Sequence, residues 1–257
     1  KHDFSDGVAF VSALHSDPVV DVERVNYNKA LEHLVVEAHG GDDVISIDDN
    51  WTETVVRGGV GANRFQVGQI FKTERDAVSA QIAGEDEFST VLTTRGYLSN
   101  GVSYVTSLEG EAGDDTFTVF RNVAELNLLG GANDDLFIVR SFAEEGSSDS
   151  AIDAGDGEDT VEYVMNAAVN VNGGTGIDTL RMIGTEFSDK YVITADGIFG
   201  AGRTVNYEQI ENLQIDGAEG DDEFFILSTG AGIVTSVFGG LGSDTFHIAG
   251  DTKDVVA

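Results

Sequence analysis

Two stretches of the chain share one form: Gly173-Gly174-Thr175-Gly176-Ile177-Asp178-Thr179-Leu180-Arg181 and Gly239-Gly240-Leu241-Gly242-Ser243-Asp244-Thr245-Phe246-His247. Each reads G-G-x-G-x-D-x-U-x, where U is a large apolar residue. The same template, moved along the sequence, finds looser copies with an acid at the sixth place: Asp43, Asp86, Asp115, Asp135, Asp159, Asp189 and Asp222. Asn63 holds that place in Gly58-Gly59-Val60-Gly61-Ala62-Asn63. The ten sixth places are separated by 20, 23, 29, 20, 24, 19, 11, 33 and 22 residues. Most steps lie near 22, and 11 and 33 are half and one and a half of that. Self-similarity at such a period is the mark of stacked repeats.

The flanks agree with the turns. Apolar residues recur two and four places before a template, as Leu34 and Val36, Leu126 and Leu128, Val169 and Val171, Leu213 and Ile215. They recur at its eighth and tenth places, as Ile45 and Ile47, Phe65 and Val67, Phe137 and Val139, Phe224 and Ile226, Phe246 and Ile248. Alternation on both sides of a glycine turn is the period of a half-buried strand. The unit is therefore strand, glycine-aspartate turn, strand, and a less regular return completes one coil of about 22 residues. The expected fold is all-β, a parallel β-roll or β-solenoid of nine or ten coils. The eighth place is Phe at Phe65, Phe88, Phe117, Phe137, Phe224 and Phe246. Stacked at the ~4.8 Å strand spacing, these rings predict an aromatic ladder in the interior.

A longer period lies over the short one. Val25-Asn26-Tyr27 leads through Leu31-Glu32 to Asp42-Asp43, and Val205-Asn206-Tyr207 leads through Ile210-Glu211 to Asp221-Asp222. The offset is 180 residues, falling to 179 after one deletion. Residues 1–24 read as a lead-in or the end of a preceding unit, 25–204 as one complete super-repeat, and 205–257 as the start of the next. The chain begins at Lys1 with no Met and no signal-like apolar stretch, and is expected to be an internal part of a longer array.

Composition narrows the function. The formal net charge is −32, from 46 acidic and 14 basic side chains. Self-repulsion on that scale opposes a compact state unless cations are bound. An apolar content of 41% argues against a disordered acidic chain. Nucleic acid and anionic membrane surfaces are poor partners for this charge, and no apolar run approaches the ~18 residues of a membrane span. The absence of cysteine excludes disulfides and thiolate metal sites.

Calcium is a hard cation that takes 6 to 8 oxygen ligands, backbone carbonyls among them. Glycines at places one, two and four permit positive φ, which lets carbonyls turn inward, and the Asp at place six adds a carboxylate. An ion between two stacked turns collects ligands from both. A ~22-residue period sets the turns in one column, and the half-step at Asp189 moves that turn to the opposite edge. The plainer reading is a set of glycine turns with Asp as turn-former. Ten copies in register within so acidic a chain favour calcium. A site held at ten times its dissociation constant contributes ~1.4 kcal/mol, so several together match the stability of a whole domain.

These residues resemble the RTX family, the glycine-aspartate nonapeptide repeats of proteins exported by Gram-negative bacteria. The resemblance covers roughly residues 34–249. It implies a parallel β-roll, several Ca2+ ions between successive turns, folding after type I secretion, and an extracellular or cell-surface location. Gly173, Gly174, Gly176 and Asp178, with Gly239, Gly240, Gly242 and Asp244, match the family motif fully. Asp43, Asp86, Asp115, Asp135, Asp159 and Asp222 match it in part. The departure is density: one motif appears per coil, whereas family β-rolls run motifs back to back. Asn63 lacks the charge, and the copy around Asp86 keeps only Gly84, so those two places are expected to be empty.

Other chemistry is thinly represented. His2, His15, His33, His39 and His247 have no metal-ligand spacing, and neither a nucleophile elbow nor a Walker loop occurs. The Asp pairs at 42–43, 114–115, 134–135 and 221–222 recur in turns, which suits calcium or solvation better than two-carboxylate hydrolysis. The expected role is a non-enzymatic, calcium-binding scaffold in a large secreted repeat protein. Its partners are neighbouring repeats and end-to-end copies of itself. The alternative is a parallel β-helix enzyme or carbohydrate-binding module acting on acidic polysaccharide, although the arginines are dispersed.

Overall fold

A computed structural model describes residues 9–14, 22–27, 29–75, 88–142, 150–200 and 202–248. Among these, every helix or strand element is a strand. An antiparallel pair comes first, β1 (Ala9–Leu14) with β2 (Val22–Tyr27). Strand-turn-strand units follow: β3 (His33–Glu37) with β4 (Val44–Ile47), then β5 (Glu53–Val60) with β6 (Arg64–Val67). A small antiparallel sheet of β7 (Ile70–Phe71), β8 (Thr90–Thr93) and β9 (Gly96–Ser99) interrupts them. The units resume as β10 (Thr106–Ala112) with β11 (Thr116–Val119), β12 (Leu126–Ala132) with β13 (Leu136–Val139), and β14 (Ala151–Gly157) with β15 (Thr160–Val164). Next come β16 (Val169–Asn172), the short β17 (Thr175–Gly176) within the turn, and β18 (Thr179–Ile183). The remaining strands are β19 (Lys190–Ile193), β20 (Gly197–Gly200), β21 (Arg203–Glu208), β22 (Asn212–Asp216), β23 (Glu223–Ile226), β24 (Val234–Phe238) and β25 (Thr245–Ile248).

The first strand of each early unit joins one sheet and the second strand joins another, so the chain alternates between two long parallel ladders. The order β3-β5-β10-β12-β14-β16-β21 runs through the first, and β4-β6-β11-β13-β15-β18-β22-β24 makes up the second, of eight strands. Equivalent residues pair: Leu108 lies beside Val56 and Leu128, and Phe117 beside Phe65 and Phe137. Every other side chain points inward, as two-residue periodicity requires. Leu126, Leu128, Val169, Val171, Leu213, Ile215, Phe65, Val67, Phe137, Val139 and Phe224 are buried.

The aromatic ladder forms in two runs. Phe65, Phe117 and Phe137 stack nearly coplanar at centroid spacings of 4.7 and 4.8 Å. Val161 and Leu180 continue the same place beyond Phe137. Tyr191, Phe224 and Phe246 form the second run at 5.2 and 5.0 Å. Phe88 belongs to neither. It packs edge-on against Phe71, with the Arg75 guanidinium 5.3 Å from its ring. Because β6 bonds directly to β11, no layer of the second sheet lies between them, and the expectation that every template opens a coil fails there.

The half-step is real and the one-and-a-half step is not. β18 runs straight into a second turn at residues 184–189, and β19 beyond it pairs in parallel with β23, which pairs with β25. The 33 residues from Asp189 to Asp222 hold one layer plus a hairpin, since β20 is antiparallel to both β19 and β21. The 180-residue likeness has a local counterpart: Tyr27 and Tyr207 both lie on the second strand of an antiparallel pair.

Truncating Phe117 removes a fully buried ring with a stacking partner on each side. Phe117→Ala is expected to cost about 3–5 kcal/mol in urea unfolding. Phe246 is 43% exposed at the last strand of its ladder, and Phe246→Ala is expected to cost less than half as much.

Candidate metal centre

Parallel register carries the strand pairing into the turns and sets their sixth places one above another. There each backbone amide donates to the carboxylate or amide oxygen one layer on. Asp43 N donates to Asn63 Oδ1 (3.1 Å), Asn63 N to Asp115 Oδ1 (2.6 Å), and Asp115 N to Asp135 Oδ1 (2.7 Å). Asp135 N donates to Asp159 Oδ1 (2.7 Å), and Asp159 N to Asp178 Oδ1 (2.9 Å). The column ends where Asp178 N donates to Glu211 Oε2 (2.9 Å). A second, separate column starts at Asp189, whose amide donates to Asp222 Oδ1 (2.8 Å), followed by Asp222 N to Asp244 Oδ1 (3.0 Å). The sequence placed Asp222 and Asp244 with the first column by period alone, and the hairpin at β20 moves them to the second.

The glycines serve two purposes. In the two fully matched turns the second and fourth glycines are left-handed, Gly174 and Gly176 at φ 94° and 142° and Gly240 and Gly242 at φ 91° and 145°. His39, Glu111, Asn133 and Ala218 take the equivalent conformation in looser turns, at φ 71–81°. The first glycine supplies room rather than positive φ. A Cβ on Gly110 would strike both Asp115 Oδ2 and the carbonyl oxygen of Gly130 in the next turn. Gly130, with Asp135 and Ala154, and Gly217, with Asp222 and Gly239, repeat that arrangement. Ala38 and Ala154 hold the place in two other turns, so glycine there is favoured by space and not obligatory.

The second carboxylate oxygen is the unusual feature. Oδ2 of Asp43, Asp115, Asp135, Asp159, Asp178 and Asp222 is buried with no hydrogen-bond partner. At Asp115, Asp135 and Asp222 it borders, with a carbonyl oxygen of the next turn, the space beside the first glycine of the turn, so two acceptors share that space. Burial raises the carboxyl pKa of Asp115, Asp178 and Asp222, with the amide hydrogen bond opposing and neighbouring acids adding to it. The same causes push Asp135 to about 8 and Asp159 to about 6.

Two sixth places are different. Asn63 is fully buried, and its Nδ2 donates to the Gly61 carbonyl (3.1 Å). At Asp189, Oδ2 accepts from the Thr185 hydroxyl (2.5 Å) and the Tyr191 hydroxyl (3.1 Å). Asp86 lies outside the described residues.

The acidic pairs divide their labour. The first member is exposed in Asp42, Asp114, Asp134 and Asp221, and Glu158 holds that place beside Asp159. Asp42 Oδ1 accepts from Ala62 N (2.9 Å), Asp134 Oδ1 from Glu158 N (2.9 Å), and Asp221 Oδ1 from Ser243 N (2.8 Å). An outer row of acids thus parallels each inner column. Glu211 escapes the template because it closes a short turn with no Gly-Gly pair. Asn50 escapes it too. Buried at a return corner, it accepts from Ser103 N and Tyr104 N and donates to Thr52 O.

Among the described residues no three His, Asp or Glu side chains converge on one point. A cation here would draw on one or two column carboxylates and on turn carbonyls. That all-oxygen donor set suits calcium, and the partnerless Oδ2 atoms are where positive charge fits. Asp43, Asp115, Asp135, Asp159, Asp178 and Asp222 would hold it.

No protein-family model matches the chain, and no curated protein sequence does. No helix of the described residues is long and apolar enough to cross a membrane.

Without cations the columns store protons. Unfolded aspartates ionise near 4, whereas folded Asp135 keeps its proton to about 8 and Asp159 to about 6. Between those values the folded chain binds more protons, so stability declines as pH rises from about 4 to about 8. Thermal unfolding in chelator is expected to give a lower Tm at pH 8 than at pH 5. A Tm that rises over this interval contradicts the assignment.

Proposed function

We propose that this chain is a structural, calcium-binding segment of a large secreted or cell-surface repeat protein, built as a β-solenoid and lacking catalytic activity. The observation that carries the reading is the set of six buried aspartate oxygens without a hydrogen donor, in a chain of net charge −32. Each is a place where bound calcium lowers both the local and the global electrostatic cost. The likeness to the RTX repeats points the same way, as does strand pairing at intervals of 19 to 24 residues through most of the ladders. In such a solenoid calcium staples successive turns, and the array acts as a stiffened stalk, surface layer or adhesin scaffold.

The outer faces favour a scaffold over an acidic-polysaccharide enzyme. Arg57 pairs with Glu109 (2.8 Å) and Glu37 (3.1 Å), and Arg140 with Glu162 (2.7 Å). Cations engaged by their own sheet are poorly available to an anionic polymer.

The test is circular dichroism and thermal unfolding during a calcium titration from chelated protein, with magnesium as control. Calcium is expected to raise Tm by ten degrees or more at saturation, on the order of several sites at ~1.4 kcal/mol each. A chelated chain with the same Tm as the calcium-loaded one overturns the proposal.

A further inference from the structure

The sixth places fall into two chemical states. Of the nine described, six carry a buried Oδ2 without a donor, two are already supplied with hydrogens by the protein, and Asp244, at the last described layer, is only partly buried. Asn63 is the clearest case. Its Oδ1 accepts from Asp43 N like any column aspartate, and its own amide donates to Asp115 Oδ1. The difference lies in the other branch. A Cβ on Gly58 would lie 2.6 Å from Asn63 Nδ2 and 3.0 Å from the Gly110 carbonyl oxygen. This is the place that Asp115 Oδ2 and the Gly130 carbonyl occupy one layer on. A hydrogen-bearing nitrogen, which donates to the Gly61 carbonyl, therefore stands where Asp115 and Asp135 place a bare oxygen. Asp189 reaches the same state by another route, with the Thr185 and Tyr191 hydroxyls directed at its Oδ2.

We propose that Asn63 and Asp189 are built-in cation substitutes: the Asn63 amide and the Thr185 and Tyr191 hydroxyls close these two layers without metal, and calcium goes to aspartates whose Oδ2 has no donor. The inference rests on the proposed calcium reading and adds a rule for which turns are loaded. Asn63 sits second in the first column, between Asp43 and Asp115, and Asp189 begins the second column. Column members that need no ion hold their layers in register before calcium arrives. The rule also reassigns Asp189, which spacing alone placed among the ligands.

The test is calcium content per folded chain, measured by atomic emission after desalting in low free calcium, on the full chain and its variants. Asn63→Asp removes the nitrogen and is expected to bind about one more calcium than the parent, because a donor-free carboxylate appears in an otherwise unchanged layer. The double variant Thr185→Ala with Tyr191→Phe bares Asp189 Oδ2 and is expected to gain about one as well. Asp135→Asn runs the exchange backwards. It is expected to lose about one calcium and to melt higher than the parent in chelator. A parent chain without calcium sinks the functional proposal itself. A calcium-loaded parent whose three variants keep its calcium content overturns the substitution rule alone. So does an Asn63→Asp chain that fails to fold in saturating calcium, since a cation site must tolerate the carboxylate.

Discussion

The bond from a backbone amide to the carboxylate one layer on is the contact on which the rest of this structure depends. Parallel strands carry their own ladder, but a turn between two sheets leaves its amides pointing at the next turn without a regular acceptor. An aspartate at the sixth place has the reach to supply one. A hydrogen bond of this kind contributes ~0.5–1.5 kcal/mol with a neutral acceptor and more with a charged one. Repeated from Asp43 to Asp178, such bonds tie each turn to the next. Interior packing uses the same register. Phe65, Phe117 and Phe137 stack because the turns before them do.

That solution creates its own problem. Asp115, Asp135, Asp159 and Asp178 follow one another as buried carboxylates, and the second oxygen of each gains nothing from the ladder. Burial and mutual repulsion favour a proton, which is why Asp135 and Asp159 hold theirs so far above the normal range. Protons, calcium and the chain's own donors are three ways to meet one need. In the proposed reading the protein uses the last at Asn63 and Asp189 and leaves the rest to calcium. The outer acids at Asp42, Asp114 and Asp134 face solvent, where charge is inexpensive, and they repeat the ladder on the surface.

Where the period breaks, the chain has left the layers. The template around Asp86 adds no layer, since β6 meets β11 directly, and Phe88 packs against Phe71 and Arg75 beside the small antiparallel sheet. Spacing by itself also misread the interval from Asp189 to Asp222, because a hairpin adds residues without adding a layer. The return corner held by Asn50 with Ser103 and Tyr104 lacks the glycine-aspartate template and was silent in the sequence.

Much of this protein follows from sequence alone. Two-residue alternation around glycine-aspartate turns dictates strands, their inward faces and the stacking of equivalent residues, because these depend on local backbone geometry and on a constant repeat length. The acidity of the turns, and with it the expectation of calcium, is likewise a matter of composition and spacing. Tertiary structure decided which turns share a column, which aspartate oxygens lack a donor, and that Glu211 ends the first column. Those properties depend on what lies one layer away, 20 residues distant in the chain at Asp135 and 52 at Asn63, and no local pattern encodes the partner.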